Sequence, residues 1–174
     1  MNIRPAVPGD IEAITEIYGH HVLNGLGTFE EIPPDQAEMA TRMAGVEAYG
    51  LPYLVADDGH VLGYAYAAPF RTRAAYRFTV EDSIYVSAGQ VGRGVGKALL
   101  GRVIEICGDK GLRQMMAVIG DSDNAASIGL HKSMGFEHTG LSPAVGFKFG
   151  RWVDVVWMQL ALSAGSATKM SPVG

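Results

Sequence analysis

Val86-Ser87-Ala88-Gly89-Gln90-Val91-Gly92-Arg93-Gly94-Val95-Gly96-Lys97 joins an apolar, alternating segment to a helix-periodic one through three glycines at alternate positions. Glycine lets main-chain N–H groups approach an anion with no side chain between them, and the start of a helix adds unpaired N–H groups at the positive end of its dipole. The stretch therefore predicts a strand, turn and helix that cradle a phosphate, although the same pattern also serves as a plain strand-to-helix turn. Spacing separates the nucleotide classes. A P-loop needs four residues between its glycine and a Gly-Lys pair followed by Ser or Thr; here three residues separate Gly92 from Gly96, and Ala98 follows Lys97. A dinucleotide fingerprint needs a third glycine where this chain has Lys97, and no acidic residue closes a second strand at the usual distance. Both classes are disfavoured, which leaves a pyrophosphate cradle of another kind.

Around this stretch the chain has the balance of a globular protein. Its 174 residues suit one domain, expected over 1–162, that buries roughly 70% of the surface its unfolded form exposes. Hydrophobic residues make up 48% and charged residues 18%, so neither a disordered chain nor a disulfide scaffold is indicated. The net charge of -4 argues against nucleic-acid binding, so an anionic ligand must be held by local groups such as Arg93, Lys97 and backbone amides. The single cysteine, Cys107, lies among Val103, Ile104 and Ile106 and reads as a buried packing residue. With no basic and apolar leader and no apolar run of about 18 residues, the expectation is a soluble, cytoplasmic protein without a membrane partner.

Periodicity outlines the elements. Residues 3–6 read as a first strand; Asp10 then caps a helix whose apolar positions are Ile11, Ile14, Ile17 and Tyr18. Pro33-Pro34-Asp35 opens a second helix to about Tyr49, and strands 53–56 and 61–68 form a hairpin around Asp57-Asp58-Gly59. Strand 77–86 leads into the glycine loop and a helix over 94–110. Strand 112–119, helix 124–134 and strands 136–139, 145–149 and 153–162 follow. This mixture is an α/β or α+β domain. The Ser-, Ala- and Gly-rich residues 163–174 are expected to be a frayed tail.

Several side chains could carry chemistry. In strand 77–86 the two-residue period places Thr79, Glu81, Ser83 and Tyr85 on one face, so Glu81 stands just before the phosphate loop. Asn124 and Gly135 bracket a helix carrying Ser127 and His131, and both brackets also fit ordinary helix capping. Arg71 and Arg73, with Tyr76 beyond them, can bind carboxylate or phosphinate oxygens, or form a solvated basic loop. His20, His21, His60 and His138 show no ligand spacing with one another or with cysteine, so no metal is expected.

Read in order, these pieces resemble the GNAT N-acetyltransferase superfamily. The run Asn124-x-x-Ser127-x-x-x-His131-x-x-x-Gly135-Phe136 downstream of the glycine loop is similar to its coenzyme-contacting helix. Thr79-Val80-Glu81-Asp82-Ser83-Ile84-Tyr85-Val86, Val118-Ile119-Gly120 and Gly146-Phe147-Lys148-Phe149-Gly150-Arg151-Trp152-Val153-Asp154 narrow the likeness to the phosphinothricin and methionine sulfoximine acetyltransferase branch. The resemblance covers about residues 2–162. It implies a central mixed, mostly antiparallel sheet that splays open between two strands, flanked by helices. It also implies direct acetyl transfer from acetyl-CoA to a primary amine.

Carried over residue by residue, the resemblance assigns Ile84, Tyr85 and Val86 to the pantetheine arm. A backbone N–H near Tyr85 or Val86 polarises the thioester carbonyl. Val91, Gly92, Arg93, Gly94, Val95, Gly96 and Lys97 hold the pyrophosphate, with Asn124 and Ser127 touching the coenzyme further along. Glu81 matches the proposed base, acting through a water, and His131 is an acid or proton shuttle, the two roles being exchangeable. Arg71, Arg73 and Tyr76 bind an amino-acid-like acceptor, with Phe29 and Tyr66 as walls. Val91 departs from the Gln or Arg usual before the first loop glycine and removes a side-chain donor. The expected acceptors are phosphinothricin, methionine sulfoximine or methionine sulfone. A peptide N-terminus, a polyamine or a non-catalytic acetyl-CoA sensor remains open, and the acidic pocket a polyamine needs is at odds with Arg71 and Arg73. A homodimer is expected, from the family and from the apolar content of 153–162.

Overall fold

A computed structural model describes residues 1–162, so the tail expected at 163–174 lies outside the described residues. The chain runs β1 (Asn2–Pro5), α1 (Ile11–Asn24), α2 (Gln36–Ala48), β2 (Tyr53–Asp57), β3 (Val61–Pro69), β4 (Thr79–Val86), α3 (Val95–Asp109), β5 (Gln114–Gly120), α4 (Ala125–Ser133), β6 (Glu137–Lys148) and β7 (Arg151–Ala161). The strands form one sheet in the order β1-β2-β3-β4-β5-β7-β6. Every neighbouring pair is antiparallel except β4 and β5. Parallel strands need a crossover, and α3 supplies it.

Each face of the sheet is covered by an apolar stripe. Val95, Leu99, Leu100, Val103 and Cys107 recur at helical spacing along α3 and are buried against Leu54, Ala65, Val80 and Met115. On the opposite face, Ile14, Ile17, Tyr18 and Val22 of α1 and Met39 and Met43 of α2 close over Tyr53, Val55 and Tyr64. The helix starts differ from one another. Asp35 caps α2 by accepting from the Glu38 N–H at 2.9 Å. Asp10, expected to cap α1, makes no such bond. Its buried carboxylate accepts from the Val7 N–H and from two N–H groups of Arg4, at 2.7 to 2.8 Å, because an ion pair satisfies a desolvated charge better than a neutral amide does.

The C-terminal half corrects two further expectations. The two strands expected at 136–139 and 145–149 are one, β6, which stays paired with β7 through irregularities at His138/Gly140 and Ser142/Gly146. Ala144 takes a φ of +53° within the second, and its N–H donates to Asp154 at 2.8 Å. Most of the apolar content of 153–162 is turned inward: Val153, Val155, Val156 and Met158 are buried and Trp157 and Leu160 half-buried. The exposed apolar side chains lie instead on Leu141, Val145, Phe147, Phe149 and Trp152, around the β6–β7 hairpin. No helix among the described residues is long and apolar enough to cross a membrane.

Candidate active site

The site begins where the sheet comes apart. β4 and β5 pair only as Thr79 with Gln114, Val80 with Met115 and Glu81 with Met116, and beyond that the strands diverge. Which backbone groups face the opening follows from the ladder on the other side. The Ser87 N–H donates to Leu62 and the Phe70 N–H to the Thr79 carbonyl, so the hydrogen-bonded pairs of β3 and β4 include Tyr85 with Tyr64 and Ser83 with Tyr66. The amide of Tyr85 is therefore spent on β3, while those of Ile84 and Val86 face the gap. Of the two oxyanion donors expected from the sequence, only Val86 is open. Its carbonyl already accepts from His21 Nε2 at 2.9 Å. His21, whose pKa burial lowers despite that bond, was not anticipated as part of the site.

A cleft of about 1080 Å³ fills the opening, with Glu81 to Val86 on one wall and Ala117 to Asp121 on the other. One end is rimmed by the glycine loop. Gly92 and Gly94 have φ of +81° and +82°, a left-handed conformation that side chains disfavour, and they turn the chain into α3. The Ala98 N–H is the first to bond back within the helix, to Gly94, so the N–H groups of Val95, Gly96 and Lys97 are left for an anion. Gly96 has a second cause: a Cβ there would stand 3.2 Å from Leu130 Cδ2, so α4 packs close because it is glycine. Gln90, Val91, Gly92, Gly94, Val95, Gly96 and Lys97 line the cleft; Arg93 does not, and donates to the Gln90 side chain at 2.7 Å.

Asn124 and Ser127 also line the cleft, but they serve each other: Asn124 Oδ1 caps α4 by accepting from the Ser127 N–H at 3.1 Å. His131, one turn further along α4, is buried. Its Nε2 lies 2.9 Å from Asp82 Oδ2 and its Nδ1 2.8 Å from the Ser127 carbonyl. A carbonyl only accepts, and an ionised carboxylate only accepts, so this geometry suits a ring carrying a proton on both nitrogens. Burial by itself lowers the histidine pKa, but the hydrogen bond and charge of Asp82 and the Ser127 carbonyl outweigh it, and the net direction is up. The other carboxylate oxygen, Asp82 Oδ1, is buried without a hydrogen-bond partner among the described residues.

Glu81 precedes Asp82 and projects to the other face of β4, so the expected base and acid stand on opposite sides of the strand. Burial raises the Glu81 carboxyl pKa; Arg71, whose Nη1 is 3.9 Å away, pulls it back, and the Asp82 charge adds to the rise. The remaining acceptor candidates are only partly gathered. Phe29 lines the cleft. Tyr66 walls a smaller neighbouring cavity of about 270 Å³ with Tyr18, Tyr53 and Tyr64. Tyr76 packs edge-on against Phe70, and Arg71, Arg73 and Tyr76 are all exposed and outside the cleft lining, Arg71 alone of the three standing beside Glu81.

Asp82 and His21 escaped the sequence reading because their partners lie 49 and 65 residues away. Lys148, whose Nζ reaches the loop after α1, escaped it for the same reason. Among the described residues no three His, Cys, Asp or Glu side chains are grouped to hold a metal ion.

The family model described as "Acetyltransferase (GNAT) domain" matches residues 3–157. A phosphinothricin N-acetyltransferase of Alcaligenes faecalis is 52% identical, over 95% of this chain and 85% of its own length. An L-methionine sulfoximine/L-methionine sulfone acetyltransferase of Pseudomonas paraeruginosa is 45% identical, over 92% of this chain and 94% of its own. Among solved structures, a GNAT superfamily phosphinothricin acetyltransferase from Sinorhizobium meliloti in complex with acetyl-CoA superposes with a TM-score of 0.93 at 51% identity, covering 99% of this chain and 94% of that one. A sheet opened between two parallel strands, free amides in the opening, a glycine-shaped helix start beside it and a family match over nearly its whole length together make this chain a member of the GNAT acetyltransferase family and an N-acetyltransferase.

Proposed function

We propose that the chain acetylates the α-amino group of a small amino-acid-like acceptor of the phosphinothricin, methionine sulfoximine or methionine sulfone kind, by direct attack with both substrates bound. The observation that carries this reading is the division of the cleft by β4: Glu81 with Arg71 within 3.9 Å on one side, His131 held by Asp82 on the other. The names of the relatives support the acceptor class.

Acetyl-CoA, when bound, supplies an acetyl group activated as a thioester. The cleft fits it through main-chain donors: the unpaired N–H groups of Val95, Gly96 and Lys97, with the Lys97 ammonium, suit a pyrophosphate, and the gap-facing amides of Ile84 and Val86 suit an extended amide-bearing arm. The Val86 N–H is the donor assigned to the thioester carbonyl. Glu81 takes a proton from the acceptor ammonium, since only the free amine attacks, and its raised pKa suits a base. The amine nitrogen attacks the thioester carbonyl carbon, and the C–S bond breaks as the C–N bond is completed. The acylated nitrogen gives up its second proton to solvent, and His131 donates a proton to the departing sulfur and regains one from solvent. Arg71 faces the acceptor's acidic group, with Phe29 and Tyr66 as apolar walls and Arg73 and Tyr76 on the adjoining turn. Asn124, Ser127 and Arg93 serve the coenzyme by fixing α4 and the glycine loop.

The same reading takes the working unit to be a cytoplasmic homodimer, with Leu141, Val145, Phe147, Phe149 and Trp152 as the apolar face that a second copy covers. Sedimentation velocity tests it: a monomer at micromolar concentration removes this part. Thiol release from acetyl-CoA, measured with the three named acceptors beside ordinary amino acids, a polyamine and a short peptide, tests the activity. Turnover confined to the named acceptors is the expected result; turnover only with the polyamine or peptide overturns it.

A further inference from the structure

Lys148 ends β6 with 1% of its surface exposed, the most buried charged side chain among the described residues. An ammonium taken out of water is unfavourable unless something holds it. No carboxylate stands at ion-pair distance from it among the described residues. Nζ donates instead to two main-chain carbonyls, Gly25 at 2.8 Å and Thr28 at 2.8 Å, on the segment that leaves α1. Burial lowers the lysine pKa, and the charges of Glu31 and Glu30 oppose that fall from a distance.

Three other contacts converge on the same segment, one of them the Tyr18 hydroxyl 2.9 Å from Thr28 Oγ1. A Cβ on Gly146 would overlap the Phe29 ring, and a Cβ on Gly120 would overlap the Leu26 carbonyl oxygen. The strands that flank the segment are therefore cut back where it crosses them. Gly25, Leu26, Gly27, Thr28 and Phe29 form no helix or strand, yet they line the cleft. A stretch with two glycines and no ladder of its own holds its shape only through outside contacts.

We propose that Lys148 is a positioning residue for the acceptor: its ammonium pins residues 25–29, and with them Phe29, so that acceptor affinity depends on it while acetyl-CoA binding does not. This rests on the acetyltransferase reading above, and its test separates the two. Lys148→Met keeps the length and removes the donors; Gly146→Ala leaves the lysine and displaces the Phe29 ring, which keeps the proposal testable if the first variant fails to fold. Hydrogen exchange at the amides of 25–29 and steady-state kinetics for both substrates are measured in each. Faster exchange at 25–29, a tenfold or greater rise in KM for phosphinothricin and an acetyl-CoA KM within twofold of the parent are expected. An unchanged acceptor KM in the folded variants, or equal rises for both substrates, overturns the proposal. If the parent acetylates none of the named acceptors, the acceptor reading fails by itself. The clamp is then judged by exchange alone: unchanged protection at 25–29 refutes it, and local loss of protection sustains it.

Discussion

Glu81 and Asp82 are neighbours in β4, and the strand's two-residue period sends one carboxylate toward Arg71 and the other to His131. Their substitutions should be told apart by pH. Glu81→Gln is expected to lower kcat roughly 10²-fold or more, the scale of a lost general base, and to remove the acidic limb of the rate profile; a variant with full turnover at every pH would end the assignment. Asp82→Asn acts through the imidazole. Because Asp82 raises the His131 pKa, its loss should move the alkaline limb to lower pH, and two-dimensional NMR should show His131 losing its second ring proton earlier. Stability carries the same sign. A raised histidine pKa contributes stability that is full below about 6.5, the unfolded value, and is lost as pH rises through the folded one. Asp82→Asn should flatten that alkaline decline in chemical unfolding. Glu81 was legible because alternation alone orients it; the Asp82–His131 pair was not, because nothing local in either segment reports a contact made across 49 residues.

At the level of elements, three glycines that look alike in the sequence do different work. Gly92 and Gly94 are required by backbone conformation and Gly96 by the approach of Leu130. Gly94→Ala should strain the turn by about 1–2 kcal/mol and raise the acetyl-CoA Kd, read by calorimetry, with the acceptor KM little changed. Gly96→Val should press on α4 and cost about 1–3 kcal/mol of stability through overpacking, visible as a lower denaturant midpoint. A Gly94→Ala variant that binds acetyl-CoA as the parent does would remove the loop from the coenzyme site. The strand, turn and helix were readable in the sequence, and so was the hairpin at Asp57-Asp58-Gly59. The continuity of β6 was not, since its irregularities interrupt the alternation that marks a strand while the pairing with β7 carries on.

For the whole molecule, the sheet is tied to its first strand by Arg4, which meets Asp10 at 2.7 Å and Asp57 at 2.7 Å. The Arg4 hydrogen bond lowers the Asp10 pKa more than burial raises it. A lowered carboxyl pKa gives stability that is present above the unfolded value of about 3.9 and lost as pH falls through the folded one. Asp10→Asn should cost about 1–3 kcal/mol near neutral pH and leave less to lose on acidification; equal acid midpoints for variant and parent would deny Asp10 that part. The mixed α and β character of the chain was plain from periodicity. The burial of 153–162 was not, because an apolar strand reads alike whether other strands of its own chain or a second copy cover it.

The cleft also divides by the kind of atom that lines it. On the proposed reading the coenzyme is met chiefly by peptide N–H groups, those of Ile84, Val86, Val95, Gly96 and Lys97, whereas the acceptor is met by the side chains of Glu81 and Phe29 in the cleft and of Arg71 beside Glu81. A point mutation replaces a side chain and leaves the peptide group in place. Random substitution across this gene should therefore yield enzymes with altered amine preference more often than enzymes that have lost their acyl donor.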